Sequence, residues 1–499
     1  MVTVNSEDMI RKIKYLTVIM LGMVVFEAAA QNSQVLYYMN LPQNHMLNPA
    51  LRPSNSVYIG LPVISGINVN LNNNFFNFSD VFIKGVVPDS VVTIFHPDYD
   101  PAKFMSKIKD VNSFEPDALV QLFGLGFAVK KDLYITLDIN ERVNANVALP
   151  GDLLRLGFEG NEQFAGSRID LSSLRAEARY YREIALGFSK NFTTDLRIGA
   201  RAKVLFGIAS ASIDNRDLGI TVNDDYNHTF NADLDAHFSA PLQFYLSGQN
   251  TIDSVGIDEA RFEETRNIID YLLETGNMGL GFDIGAEYKI SSKLKVSAAV
   301  TDLGYIKWNK DITNLRAESE FVFSGIDLLE VYNGTMTFDS LGTVLLDSLK
   351  NSFYLTDTDE PFKTTLPFGV TLGGNYALSR SFSLGLLSYT RFVGSQIREA
   401  LTLSANVNIR NVFSTTLAYT AMNHRYDNLG FGLAFKPGCF QFYLLADRIP
   451  VTWNKIISEG TTIPLPTSWN TVHIRLGMNL VFGNRVEKKV DKPMIMLQE

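Results

Sequence analysis

The sequence predicts an all-β protein: an antiparallel transmembrane β-barrel of about 14 strands (range about 14–16), with an N-terminal plug segment and helical insertions in its long loops. Three observations carry that reading. Apolar–polar alternation runs longer than a soluble strand needs, charges segregate to one face of it, and the connections sort into short and long.

The clearest stretch is Thr471 to Phe482, T-V-H-I-R-L-G-M-N-L-V-F. Val472, Ile474, Leu476, Met478, Leu480 and Phe482 share one face, and Thr471, His473, Arg475, Gly477, Asn479 and Val481 share the other. Such period-2 alternation marks a strand with a different solvent on each side. Soluble strands have a mode of about 5–6 residues, whereas a tilted bilayer crossing takes roughly 9–11. Similar alternation recurs at 133–140, 196–206, 280–289, 294–300, 366–372, 401–410, 429–435 and 440–444. Its charges fall almost entirely on one face, as insertion demands, because Arg or Lys facing lipid at the midplane costs roughly 2–4 kcal/mol.

Short connections at Asn191–Asp195, Ser291-Ser292, Leu378–Ser381 and Asn411-Val412 suit hairpins on the periplasmic side. Long ones at Pro150–Arg179, Asn223–Asn277, Asn309–Thr365 and Arg448–Asn470 suit extracellular loops. Helical spacing appears within them at Asp258–Glu274 and, more weakly, at Val344–Phe353. The segments 218–240 and 316–338 read equally well as wall or loop, which is the source of the spread in strand number.

At the N-terminus, Arg11, Lys12 and Lys14 precede an apolar run from Tyr15 to Phe26 and a small-residue site at Ala28-Ala29-Ala30. This is the pattern of a cleavable export signal, too short to span a membrane. Residues 31–118 follow as a plug or hatch able to contribute a strand, or alternatively as a small periplasmic domain; helical character is read at 104–111 and 116–123. The barrel is placed at 119–483 and a polar periplasmic tail at 484–499.

Composition excludes several classes. After the N-terminus no uncharged apolar run reaches about 18 residues, which argues against a helical membrane protein. The net charge of −9 and the absence of a Lys/Arg block argue against nucleic acid. The single cysteine, Cys439, forms no internal disulfide. The six histidines show no metal-ligand spacing, and neither a nucleophile elbow nor a phosphate-binding glycine loop occurs. No enzyme, cofactor or metal is expected.

The polar faces carry the candidate site residues. Arg197, Arg201 and Lys203 share one strand face, and Arg391, Arg410, His473 and Arg475 lie on later ones, with Asp138, Asp283 and Glu287 as partners. Two readings stand: a lumen that guides or binds an anionic head group, or an ion-pair network that fills the barrel and fixes the plug. Tyr180-Tyr181, Trp308, Tyr389, Tyr419, Tyr443 and Trp469 fit interfacial girdles.

The opening Leu41-Pro42 with Leu47-Asn48-Pro49-Ala50, and the ending Arg475 to Gly483 (R-L-G-M-N-L-V-F-G), resemble the FadL-like outer-membrane β-barrel superfamily. Nearest is an outer-membrane family of Bacteroidota with PorV-like relatives. The resemblance implies a barrel of about 14 strands with its N-terminus inside. It also implies outer-membrane lipid as surroundings and uptake or binding of hydrophobic or amphipathic small molecules. The alternative is a scaffold partnering other outer-membrane or secretion proteins. Two departures stand out: seventeen residues follow Phe482, and the loops are long and acidic.

Overall fold

The computed structural model describes residues 34–84, 91–94, 101–223, 227–246, 252–323, 354–394, 396–422, 425–449, 453–458, 461–466 and 471–484. The export signal at 1–30, the helix read at Val344–Phe353, Trp469 and the tail beyond Asn484 lie outside the described residues.

Fourteen antiparallel wall positions close on themselves. The first is interrupted, Asn55–Gly60 with Ile67–Asn73 (β1); then come Val111–Ala128 (β2), Leu133–Pro150 (β3), Arg175–Asn191 (β4) and Leu196–Val222 (β5). Asn277–Lys289 (β6), Leu294–Trp308 (β7) and a second interrupted position, Phe362–Thr365 with Phe368–Ala377 (β8), follow. Phe382–Val393 (β9), Gln396–Ile409 (β10), Phe413–Met422 (β11), Arg425–Phe435 (β12), Phe440–Ala446 (β13) and Thr471–Asn484 (β14) complete the ring. β14 closes it by pairing with β13 on one side and both halves of β1 on the other, for example Leu444↔Leu476 and Ile67↔Leu476.

The faces are inverted relative to a soluble protein. Leu186, Leu280, Leu372, Leu403 and Leu417 are each more than half exposed, while Asp138, Glu183, Arg201, Lys203 and Asp283 are no more than 2% exposed. Apolar side chains that water would drive inward point outward, so the outer band faces lipid and the architecture is that of an outer-membrane barrel. Leu403→Arg, near the middle of β10, is expected to destabilise the barrel by roughly 2–4 kcal/mol in bilayer unfolding titrations. The same change at exposed Leu378, in a hairpin turn, is expected to shift it by less than about 1 kcal/mol.

The girdle assignment needs correction. Tyr181, Trp308, Tyr389 and Tyr443 are at most 5% exposed and face inward, with Trp308 Nε1 donating to Thr364 Oγ1 at 2.9 Å. Strand parity decides this: in β13, Phe440, Phe442 and Leu444 face out, so Tyr443 faces in. The outward aromatics near the short turns include Phe127, Phe188, Phe192, Tyr288, Tyr376, Phe435, Phe440 and Phe482.

The boundary at 118/119 is also too late, because Asn55–Asn73 and the start of β2 already belong to the wall. The helical reading of 116–123 fails for the same reason. Pro116 sits in β2 where the ladder to β3 skips Glu115 and Pro116, so its missing N–H is tolerated. Between β1 and β2, a short helix at Pro101–Met105 brings Phe104 and Met105 onto Phe75 in a small cap at the long-loop end. Strands at His228–Ser239 and Ile312–Phe323 extend the upper half of β5 as a flap beyond the closed ring, which resolves the strand number at fourteen. The helix read over Asp258–Glu274 is shorter, Thr265–Leu272, preceded by one 3-10 turn.

Candidate functional site

The lumen is occupied from two directions. One half is filled by charged side chains of five adjacent strands. Arg201 Nη1 lies 2.8 Å from Asp283 Oδ2, while its Nη2 lies 3.2 Å from Asp138 and 3.4 Å from Glu183. Lys203 Nζ reaches Asp283 at 2.7 Å, Asp302 at 2.5 Å and Glu183 at 3.6 Å. Arg142 spans Glu183 at 3.2 Å and Asp302 at 3.3 Å. Three cations thus face four carboxylates, with His45 Nε2 placed 2.7 Å from Asp138. Tyr58 Oη and Gln121 Nε2 both donate to Asp138 Oδ1 at 3.1 Å. Charges so buried persist only when each has partners, and here most have two or three.

A bulge in β7 makes the network possible. Asp302 has φ +63°, and the register between β6 and β7 shifts at Phe282/Ile284. The extra residue turns the Asp302 side chain toward Arg142 and Lys203, and its N–H donates to Asp283 Oδ1 at 2.7 Å. A left-handed backbone is one that Asp tolerates better than most side chains.

The other half of the lumen is taken by residues 34–54. Two 3-10 turns, Val35–Tyr38 and Pro42–Met46, present Val35, Leu36, Tyr37, Met39, Leu41 and Leu47 to Leu387, Ala418, Ala434, Tyr443 and Leu445. Asp447, just past β13, accepts the N–H groups of Gln34 and Val35 at 2.9 Å each. Gln43 Nε2 donates to Asn479 Oδ1 at 2.7 Å. The Asn48-Pro49-Ala50 motif crosses to the charged half. Asn48 Nδ2 donates to Tyr37 Oη at 2.9 Å, and Asn48 Oδ1 accepts from Ala50 N at 2.9 Å. The motif rests on Gly199 and Gly285, which are directly paired between β5 and β6. A Cβ at either glycine would overlap Pro49 or Asn48.

The sequence-derived site residues divide accordingly. Arg201, Lys203 and Asp283 meet in the network. Arg197 and Glu287 pair at 3.2 Å nearer the short turns. On the opposite wall, His473 bridges Asn68 Oδ1 at 2.7 Å and Asp447 Oδ2 at 3.0 Å. Arg475 lies against Met46 Sδ at 3.5 Å. Arg410 is not in the lumen. It sits exposed at the β10–β11 turn with φ +51°, because the alternation of β10 ends at Ile409. Sequence reasoning missed Arg142, Glu183, Asp302, His45 and Asp447. One signal for Asp302 was available: outward residues are even-numbered through Val300, then odd at Leu303 and Tyr305, and only an inserted residue flips that phase.

Two cavities sharing no lining residue lie at the two ends of this filling. A space of about 20 Å³ is lined by Asp117, Asn144, Arg179 and Arg391 toward the long loops. One of about 1130 Å³ opens at the short turns, between residues 37–54 and the wall.

Comparison with known proteins gives one family and several fold likenesses. The profile of a family of unknown function, DUF5723, matches residues 49–447. No curated protein matches the chain. Among solved structures, the toluene transporter TbuX of Ralstonia pickettii is 8% identical, with TM-score 0.39 over 91% of this chain and 96% of that one. The toluene transporter TodX of Pseudomonas putida is 8% identical, with TM-score 0.38 over 92% and 98%. A FadL homologue of Pseudomonas aeruginosa is 11% identical, with TM-score 0.35 over 91% and 97%. Similarities this low say nothing about what this chain binds.

Proposed function

Since the chain belongs to the family of unknown function DUF5723, we propose on that premise that it is an outer-membrane barrel for uptake or binding of hydrophobic or amphipathic small molecules, with residues 34–54 as a movable plug. Export through a signal cleaved near Ala30 is part of this reading, as is a role for the lumen charges in guiding a polar head. The observation that carries it is how residues 34–54 are held. They form 3-10 turns rather than a wall strand, and their bonds to the wall run largely through side chains such as Asp447, Gln43 and Asn48. Such a segment can leave without breaking the ladder that closes the barrel, whereas removing a wall strand would expose unpaired backbone to lipid.

A second reading, a non-transporting scaffold in a secretion or assembly complex with PorV-like relatives, is favoured by one feature. Apart from His45, the ion-pair network belongs to the wall and would stay in place after residues 34–54 departed. Deleting 34–54 separates the two. Under the first reading, uptake of a hydrophobic dye and sensitivity to detergent both rise in cells carrying the variant. Unchanged permeability, with the barrel correctly assembled, would leave the scaffold.

A further inference from the structure

The large cavity at the short-turn end has a chemistry that neither reading uses. Its lining includes five cations, Arg52, Lys131, Arg197, Lys295 and Arg380, against one carboxylate, Glu287. That carboxylate is shared, lying 3.2 Å from Arg197 and 3.5 Å from Lys295. Among the described residues neither Lys131 nor Arg380 meets a carboxylate, and both are exposed at the mouth. Arg52 is fixed deeper, donating to the Asp132 carbonyl at 2.5 Å and to Ser189 Oγ at 2.9 Å.

The surrounding rim has the same sign. The hairpin turns at 129–132, 192–195, 290–293, 378–381, 410–412 and 436–439 contain six Lys or Arg against Asp132 and Asp195, in a chain of net charge −9. Cationic charge is therefore concentrated at this end. A half-enclosed cleft with low-dielectric walls focuses such a field and raises the local concentration of anions. The cavity also has an apolar side, formed by Tyr38, Met39, Leu51 and Ala377. Its volume is slightly above the range of about 300–1,000 Å³ that holds small ligands.

We infer that this vestibule is a binding site for an amphipathic anion entering from the short-turn end, its carboxylate or phosphate held by the cationic rim to which Lys131 and Arg380 belong and its apolar part against Tyr38 and Leu51. The inference rests on the barrel and its charge distribution and does not require transport. Binding is read at equilibrium, so a failure of uptake and a failure of binding are separate results.

The test uses the full-length barrel in phosphatidylcholine nanodiscs, titrated with dansyl-labelled undecanoate and, in parallel, its uncharged methyl ester. The acid is expected to bind saturably and at least about tenfold more tightly than the ester, a difference of roughly 1.4 kcal/mol. Its affinity should fall as salt rises from about 0.15 to 1 M, which shortens the screening length from about 8 to 3 Å. The double variant Lys131→Glu/Arg380→Glu should lose most of that preference while unfolding at the same denaturant concentration as the parent. Adding phosphatidylglycerol to the disc identifies the source: competition assigns the site to lipid head groups, and undiminished binding assigns it to a free amphiphile. Equal binding of acid and ester, indifferent to salt and to the charge reversal, would overturn the inference.

Discussion

Gly285→Val is expected to unseat the N-terminal segment while leaving the barrel closed. Gly285 and Gly199 are register partners, and together they leave a side-chain-free surface on which Asn48-Pro49-Ala50 lies. A side chain at Gly199 meets the backbone of Pro49, while one at Gly285 meets the Asn48 amide, which can turn away only by giving up its bonds with Ala50 N and Tyr37 Oη. Overpacking of this kind costs typically about 1–3 kcal/mol, which corresponds to a roughly 5–150-fold shift toward the displaced segment. The wall pays little, because valine is well suited to a strand. Hydrogen exchange reads the outcome directly. Amides of 35–51 should lose at least about tenfold of their protection while those of β5 and β6 keep theirs, a local opening rather than global unfolding. Equal loss in both would mean the glycines serve wall curvature. Unchanged exchange in both would show that the motif is not what seats the segment. If residues 34–54 are the plug, the same variant should also admit hydrophobic dye, so exchange and permeability should rise together.

What was legible beforehand follows from what alternation can encode. β14 was readable residue by residue because both faces are long, chemically opposed and uninterrupted, and its inward set, Thr471, His473, Arg475, Asn479 and Val481, is buried as expected. Alternation carries no information where it stops, and three errors trace to that. Arg410 was assigned to the lumen by continuing the phase of β10 one residue too far, into a left-handed turn. Asp302 was overlooked because a bulge changes the phase within a strand. Residues 34–54 have no period at all, since 3-10 turns packed on all sides need neither a helical stripe nor a strand face. For them the Asn48-Pro49-Ala50 motif was the only foothold, and it marks the place where that segment touches paired wall glycines. Partner sets were legible only in part: Asp138 and Asp283 were named as partners of the lumen cations, but Glu183, from a third strand that also converges on Arg201, was not.

That convergence sets up the largest stability effect. Arg201→Met is expected to destabilise the barrel by about 3–5 kcal/mol, because removing one partner of a buried ionic group leaves uncompensated charge. The network already holds four carboxylates against three cations and His45, so losing Arg201 leaves Asp138, Glu183 and Asp283 sharing Arg142, Lys203 and His45. Methionine fills similar volume, which keeps the packing loss small and makes charge the variable. Guanidinium unfolding in lipid vesicles gives the size of the effect from the midpoint at constant slope. The paired variant Arg201→Met/Asp283→Asn should recover part of it, with a coupling of about 0.5–3 kcal/mol, since it removes a charge of each sign from one contact. Arg410→Asn supplies the contrast: an exposed turn residue at φ +51°, replaced by one that tolerates that backbone, should move stability by no more than about 0.5 kcal/mol. If Arg201→Met were as mild as Arg410→Asn, the carboxylates around it would have to be protonated or hydrated already. The middle of the lumen would then be a wet channel and not a packed layer of ion pairs.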